Sequence, residues 1–221
     1  MRNEITSEKG FVSYNDGSNS TSIEGREYHE APFDQRWDDL YAAIDNGTGP
    51  AQLTYEGYRD TGFYMRFFRH NQDDAIFMRY QMSHQWDPTT AVSPHMHCVP
   101  MASGSGVVKM NYAYSWSMVN GALSGAAGWV SGTVSSSYTP ADQYNQRIIS
   151  FGLISPPATA RESAILVFKV ERLGASDATD TYQTSKPDGT AAANLAVLFF
   201  DVHYQKIKAG TVTQYPEAPT V

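Results

Sequence analysis

Apolar and polar residues alternate along most of this chain. In the clearest run, which extends from Val108 to Met118, every second residue is large and apolar and the residues between are small or polar. A period of two is typical of a β-strand with one buried face. Segments of the same kind, or with mostly apolar residues, recur at short intervals. The predicted strands are 62–70, 75–84, 94–99, 107–119, 128–138, 147–154, 163–173 and 194–207, with 52–58 as a weaker candidate.

Turn-forming residues separate these strands. Asn120-Gly121, Pro156-Pro157 and the run 186–189 are examples. Because strands follow one another without intervening helical patterns, a parallel α/β fold is not expected. The pattern predicts an all-β fold, a jelly-roll-like antiparallel β-sandwich. One segment, 33–44, differs: its apolar residues are spaced by three and four, which predicts a short amphipathic helix or a turn-rich segment docked on the sheet.

The distribution of apolar residues suggests three parts. Residues 1–31 are polar and too poor in apolar groups to build a core, so we expect an extended N-terminal arm. Residues 32–208 form the β-sandwich domain, which fits the length of 221 residues. Residues 209–221 contain two prolines and little periodicity, and are predicted to form an extended C-terminal tail.

Composition narrows the functional classes. The formal net charge of -7, without a clustered Lys/Arg patch, argues against nucleic-acid binding. A single cysteine allows neither an intramolecular disulfide nor a cysteine-based zinc site. No apolar run approaches the roughly 18 residues that span a bilayer, so we expect no membrane association and synthesis in the cytoplasm.

The histidines provide the strongest candidate for a chemical site. In the predicted strand 94–99, His95 and His97 should point to one side and Cys98 to the other. Asp201 and His203 share one face of the predicted strand 194–207 in the same way. Two histidines from one strand and a histidine with a carboxylate from a distant strand are a common set of ligands for one metal ion. The predicted metal ligands are therefore His95, His97, His203 and Asp201; the alternative is that these histidines are hydrogen-bonded within a packed core.

Catalytic patterns are weaker. The chain has no GxSxG motif, and Cys98 is interpreted as a small buried hydrophobic residue, so we predict no catalytic residue and no cofactor. A cupin-like metal-dependent enzyme remains an alternative, although the glutamate of that pattern is missing after His97. A carbohydrate-binding module is another, with Trp86, Trp116 and Trp129 stacked on sugar rings, but tryptophans on strands are more often core residues.

Five short motifs occur in a fixed order: QMSHQW, PHMH, YAYSWSMVNG, DATDTY and DVHYQ. This ordered set resembles a group of proteins encoded in tailed-bacteriophage genomes and carried as structural or unassigned virion proteins. The resemblance spans roughly residues 37–208.

The resemblance implies a non-enzymatic virion structural protein, made in the host bacterial cytoplasm. A compact sandwich with polar arms suits an auxiliary capsid protein of the decoration or cement class. Its partners would be the major capsid protein or other virion proteins, and we expect a homo-oligomer, with a trimer favoured. A neck, collar or tail-attached protein is the alternative within the same class, and the cupin-like enzyme is the second alternative.

Overall fold

The computed structural model describes residues 5–8, 11–15, 20–21, 36–46, 54–59, 61–125, 128–182 and 194–206. Within these residues the chain forms fourteen strands and a short 3-10 helix at Pro140–Asp142. The strands are β1 Ile5–Glu8, β2 Phe11–Asn15, β3 Ser20–Thr21, β4 Arg36–Tyr41, β5 Asp45–Asn46, β6 Thr54–Gly57, β7 Tyr64–Phe68, β8 Ala75–Gln81, β9 Ser93–Pro100, β10 Gly106–Ser117, β11 Val130–Tyr138, β12 Arg147–Ser150, β13 Ile165–Arg172 and β14 Leu195–Lys206.

Two antiparallel sheets form the sandwich. The five-stranded sheet has the order β11-β10-β13-β8-β5. The six-stranded sheet has the order β12-β9-β14-β7-β6, and β4 also pairs with β14. The long strand β10 pairs through its backbone with β11 on one edge and β13 on the other. Its side chains alternate, so that Val108 and Met110 lie in the core. The predicted all-β, jelly-roll-like antiparallel sandwich is confirmed.

The core lies between the inner faces of the two sheets. Phe168 of β13 is at its centre, with its ring stacked on Tyr112 and packed against Phe151 and Phe200. Trp86 and Trp116 stack with their ring centroids 5.5 Å apart and are nearly parallel. Both tryptophans belong to the core or pack against it, so neither offers the sugar-binding platform of the carbohydrate-binding alternative.

The prediction of a helix or a turn-rich segment at 33–44 is wrong for residues 36–41. Arg36–Tyr41 forms strand β4, and its side chains alternate with a period of two. Leu40 packs against the core, whereas Trp37 and Tyr41 are exposed. The spacing of apolar residues by three and four does not produce a helix here. Trp37 and Leu40 lie on opposite faces of a strand, because pairing with β14 outweighs the local helical pattern.

The N-terminal residues form a separate compact unit, Met1–Arg36, distinct from the unit Trp37–Val221. In it, β1 pairs with β2 and β2 pairs with β3, all antiparallel. The predicted C-terminal tail, 209–221, lies outside the described residues, and the predicted domain boundaries stay predictions. In the part of the chain that the structure describes, no helix is long and apolar enough to cross a membrane.

A β-bulge in β14 decides which side chains point outward. Its register against β9 shifts between Val197 and Phe199. Before the bulge, Val197 packs in the core; after it, Phe200 and Val202 do. Because one extra residue inverts the alternation, Asp201 is on the outer face of the six-stranded sheet.

Candidate metal centre

The four predicted metal ligands come together on the outer face of the six-stranded sheet. Strands β9 and β14 are hydrogen-bonded neighbours, with Asp201 directly opposite His95 and His203 opposite Ser93. The predicted orientation of β9 is also found, since Met96 and Cys98 are fully buried in the core on the other side of the strand. The sheet therefore places both imidazoles of β9 beside the carboxylate of β14.

Three donor atoms form a compact triangle. Nε2 of His95 lies 2.9 Å from Oδ1 of Asp201 and 3.1 Å from Nε2 of His97. The third side, from Nε2 of His97 to Oδ1 of Asp201, is 3.5 Å. Each residue contributes one nitrogen or oxygen atom of the type that binds divalent transition metals.

The carboxylate of this triangle is buried and incompletely paired. Asp201 is 2% exposed, and its Oδ1 accepts no hydrogen bond from the described residues, although His95 is close. Burial raises the pKa of the Asp201 carboxyl above its usual range, since lost hydration outweighs attraction to the nearby imidazoles. A buried carboxylate oxygen without a hydrogen bond is costly, so this atom calls for an explanation.

Contacts on the far side of each imidazole hold the rings in place. Nδ1 of His95 faces the backbone carbonyl of Ser93 at 3.4 Å. Nδ1 of His97 lies 2.6 Å from the side-chain amide nitrogen, Nε2, of Gln146. The His97 ring also stacks on Phe199, with centroids 4.2 Å apart. Burial lowers the pKa of His97, which favours the neutral ring that binds metals.

The fourth predicted ligand, His203, is placed differently from the other three. Its Nε2 is 3.8 Å from Oδ2 of Asp201 but only 2.9 Å from Oδ1 of Asp39 on β4. His203 is therefore drawn toward Asp39. The sequence prediction for segment 33–44, a helix or a turn-rich segment, does not identify Asp39 as a member of this cluster. The signal that identifies it is the alternation of Trp37, Asp39 and Tyr41 along a strand.

Apolar side chains surround this cluster on the same face. Tyr41 contacts Phe199 edge to face at 5.8 Å, and Trp37 lies 6.5 Å from the ring of His203. Ile148 of β12 is opposite His97 in the ladder. All four of these apolar residues are more than a third exposed. We call Trp37, Tyr41, Ile148 and Phe199 the exposed apolar rim.

Cys98 is not placed for nucleophilic chemistry. Its thiol lies on the core side of β9, opposite to the His97 ring, within 3.5 Å of the Tyr138 hydroxyl. Burial raises the pKa of the thiol to about 11, so the reactive thiolate is scarce at neutral pH. This position fits the predicted role of a small buried hydrophobic residue.

The other candidate features lie away from the cluster. His84 pairs with the hydroxyl of Ser163 at 2.7 Å beside the start of β13. A cavity of about 300 Å³ lies on the five-stranded sheet and includes none of the four predicted ligands. It is lined by Asn111, Tyr112, Ala113, Ser131, Gly132, Thr133, Lys169 and Glu171.

Comparison with known proteins finds similarity only among solved structures, since no family model and no curated protein sequence matches the chain. A carbohydrate-binding module that recognises mannan is 8% identical, with a TM-score of 0.38, over 76% of this chain and 98% of the module. The C-terminal family 22 carbohydrate-binding module of Clostridium thermocellum Xyn10B is 12% identical, with a TM-score of 0.35, over 83% and 92% of the two chains. The xylan-binding domain CBM22-1 of Paenibacillus barcinonensis Xyn10C is 10% identical, with a TM-score of 0.34, over 78% and 87%.

Proposed function

We propose that this protein is a non-enzymatic structural protein of a tailed-bacteriophage virion, acting as an auxiliary capsid protein of the decoration or cement class. The motif resemblance supports the virion assignment. Its motifs are distributed over the whole sandwich: PHMH lies in β9, most of YAYSWSMVNG in β10 and DVHYQ in β14. The resemblance therefore concerns both sheets rather than one local turn.

The observation that carries the structural role is the exposed apolar rim. Trp37 is 49% exposed, Tyr41 65%, Ile148 56% and Phe199 37%. Apolar side chains that group on one exposed face, around polar residues, are typical of a protein-binding surface. Leaving them in water forgoes the stabilisation of about 25 cal/mol per Å2 that burial provides, so a surface that docks on a partner explains them.

The partner that we propose is the major capsid protein. We also propose that the protein assembles as a homo-oligomer, with a trimer favoured. Closed symmetric oligomers are the usual state of soluble homo-oligomers, and a trimer matches a shell position with three-fold symmetry. In this arrangement the exposed apolar rim faces the shell. A neck, collar or tail position would use the same surface against a partner present in few copies.

Quantitative mass spectrometry of purified virions tests the proposal. The virions come from the phage whose genome encodes this chain, and the readout is the number of copies per major capsid subunit. Copies comparable in number to the capsid subunits are expected. A few copies per particle would overturn the decoration role in favour of the portal vertex or tail, and absence from the particle would overturn the virion assignment.

A binding assay tests the surface. The double variant Tyr41→Ser/Phe199→Ser should lose binding to capsids that lack the protein, while its circular dichroism spectrum stays that of the wild type. Leu123→Ser is the matched control, because Leu123 is 60% exposed in the loop after β10 of the other sheet. Equal binding by the double variant and the control would contradict the proposed docking face.

A further inference from the structure

We propose that His95, His97 and Asp201 bind one divalent transition metal ion, with Zn2+ as the representative ion, through Nε2, Nε2 and Oδ1. This inference goes beyond the virion role and is independent of it. It also narrows the predicted ligand set, because His203 is assigned a supporting position instead of a direct bond to the metal.

The donor triangle has the dimensions of a metal site. Ligand atoms about 2.1 Å from an ion and separated by tetrahedral or octahedral angles lie about 3.0–3.4 Å apart. The three measured separations are 2.9, 3.1 and 3.5 Å. A point equidistant from the three atoms is about 1.8 Å from each, so an ion at about 2.1 Å sits about 1 Å out of their plane. The side chains fit an ion without rearrangement.

The electrostatics of the triangle also favour a cation. Only one proton fits between the two facing Nε2 atoms of His95 and His97, so at least one nitrogen presents a lone pair when that proton is shared. Beside them, Oδ1 of Asp201 is buried and accepts no hydrogen bond from the part of the chain that the structure describes. A divalent ion satisfies all three electron-pair donors at once, which removes the cost of the unpaired oxygen.

The contacts behind the rings suit metal binding. A histidine that binds metal usually donates its other ring N–H to a carbonyl or carboxylate, which fixes the tautomer. Nδ1 of His95 faces the carbonyl oxygen of Ser93, so its proton is on Nδ1 and Nε2 keeps a lone pair for the ion. Nδ1 of His97 faces the side-chain amide nitrogen of Gln146. For His97 to bind the ion through Nε2, this exposed amide turns by 180°, so that its oxygen accepts from Nδ1–H.

His203 and Asp39 form the supporting layer. Nε2 of His203 is engaged with Asp39 at 2.9 Å, and its distance of 3.8 Å to Oδ2 of Asp201 lies outside the range of the triangle. Through this contact, His203 and Asp39 can help to hold the Asp201 carboxylate in position. Supporting residues of this kind typically change metal affinity about 10–100-fold when removed, whereas removal of a direct ligand removes the site.

The test uses the full-length protein, stripped with EDTA and then titrated with Zn2+ and, separately, with Co2+. Isothermal titration calorimetry should give one ion per chain, Co2+ should produce visible d–d absorption, and Zn2+ should raise the melting temperature in a concentration-dependent way. His97→Gln and Asp201→Asn should each lose binding. His203→Gln should retain it with an affinity reduced about 10-fold.

Two controls keep the result interpretable. His70→Gln removes a histidine outside the cluster, where Asn194 is its partner, and should bind Zn2+ like the wild type. Long-range 1H–15N NMR of the wild-type imidazoles needs no variant to fold, and Zn2+ should shift Nε2 of His95 and His97 but not Nδ1. The proposal is overturned if the wild type fails to bind either ion, if His97→Gln binds normally, if two ions bind per chain, or if His70→Gln also loses binding.

Discussion

Two buried aspartates in the same sandwich have opposite surroundings. Asp180 is 1% exposed and Asp201 is 2% exposed. Asp180 accepts two hydrogen bonds from the guanidinium of Arg172, at 2.8 and 2.9 Å, and one from the backbone N–H of Lys109. Asp201 has three imidazoles nearby, yet none of the described residues donates a hydrogen bond to its Oδ1.

The difference separates a structural ion pair from a candidate binding site. Arg172 and Asp180 form a bidentate pair whose charges balance, and Arg172 also donates to the backbone carbonyl of Tyr182. Nothing further is needed to bury them. The carboxylate of Asp201 is surrounded by imidazoles, which carry no permanent charge. A bound cation would balance its negative charge and coordinate its Oδ1. Burial alone does not identify a site; incomplete pairing of a buried charge does.

The largest effect is expected from Asp180→Asn. This substitution removes the charge that Asp180 presents to the buried Arg172 guanidinium, and breaking a buried ion pair in this way costs about 3–5 kcal/mol. Urea unfolding at pH 7 measures the loss of unfolding free energy. Asp45→Asn, which removes the exposed partner of Arg79, is the matched control and should cost at most about 1 kcal/mol. If the two substitutions lowered the free energy of unfolding equally, the buried pair of Arg172 and Asp180 would stabilise the fold no more than an exposed pair does.

An intermediate effect is expected from Tyr182→Phe beside this ion pair. The Tyr182 hydroxyl accepts a hydrogen bond from the backbone N–H of Ala102 and donates one to its carbonyl. Because the variant leaves buried backbone groups unpaired, it should lose about 2 kcal/mol of unfolding free energy at pH 7.

The same variant gives a pH test. Burial raises the pKa of Tyr182 from 10.0 to about 12. Because the pKa of the Tyr182 hydroxyl is higher in the folded state than in the unfolded state, its contribution to the free energy of unfolding is complete below pH 10. That contribution is lost as the pH rises toward about 12. The deficit of Tyr182→Phe should therefore shrink over this window, as followed by denaturant unfolding at successive pH values. Tyr64→Phe, at a residue that is 55% exposed, serves as control, and a constant deficit for Tyr182→Phe would contradict the prediction.

The smallest effect is expected from Asp201→Asn in the presence of EDTA. The substitution removes a buried charge whose Oδ1 accepts no hydrogen bond, so the unfolding free energy should change by less than about 1 kcal/mol in either direction. The same variant should lack the stabilisation by Zn2+ that the wild type shows. If Asp201→Asn lowered the free energy of unfolding as much as Asp180→Asn does, Asp201 would be a structural partner of the imidazoles like the carboxylate of Asp180 for Arg172.

Much of the fold could be predicted from local pattern. The alternation in β10 and the mixed apolar runs of β8, β9, β13 and β14 are visible in the sequence, because burial on one face of a strand requires a period of two. The segment 33–44 was mispredicted for a non-local reason. Its residues permit a helical spacing, and only pairing with β14, a strand distant in sequence, makes the extended form more favourable.

Within the candidate site, sequence alone determines two half-sites. The motif His95-Met96-His97 places two imidazoles on one side of a strand, and Asp201 with His203 does the same, since side chains two residues apart share a face. These statements hold for any strand with those residues. The sequence does not say whether the two halves meet.

Tertiary structure decides that they meet, and it selects the members of the cluster. Pairing of β9 with β14 sets Asp201 opposite His95, and the bulge between Val197 and Phe199 turns the acid outward rather than into the core. Pairing of β4 with β14 then brings Asp39 to His203. Register and bulges depend on the fit of side chains from distant strands, and a one-residue shift moves every side chain to the other face. Local sequence therefore determines the half-sites, and long-range packing determines the site.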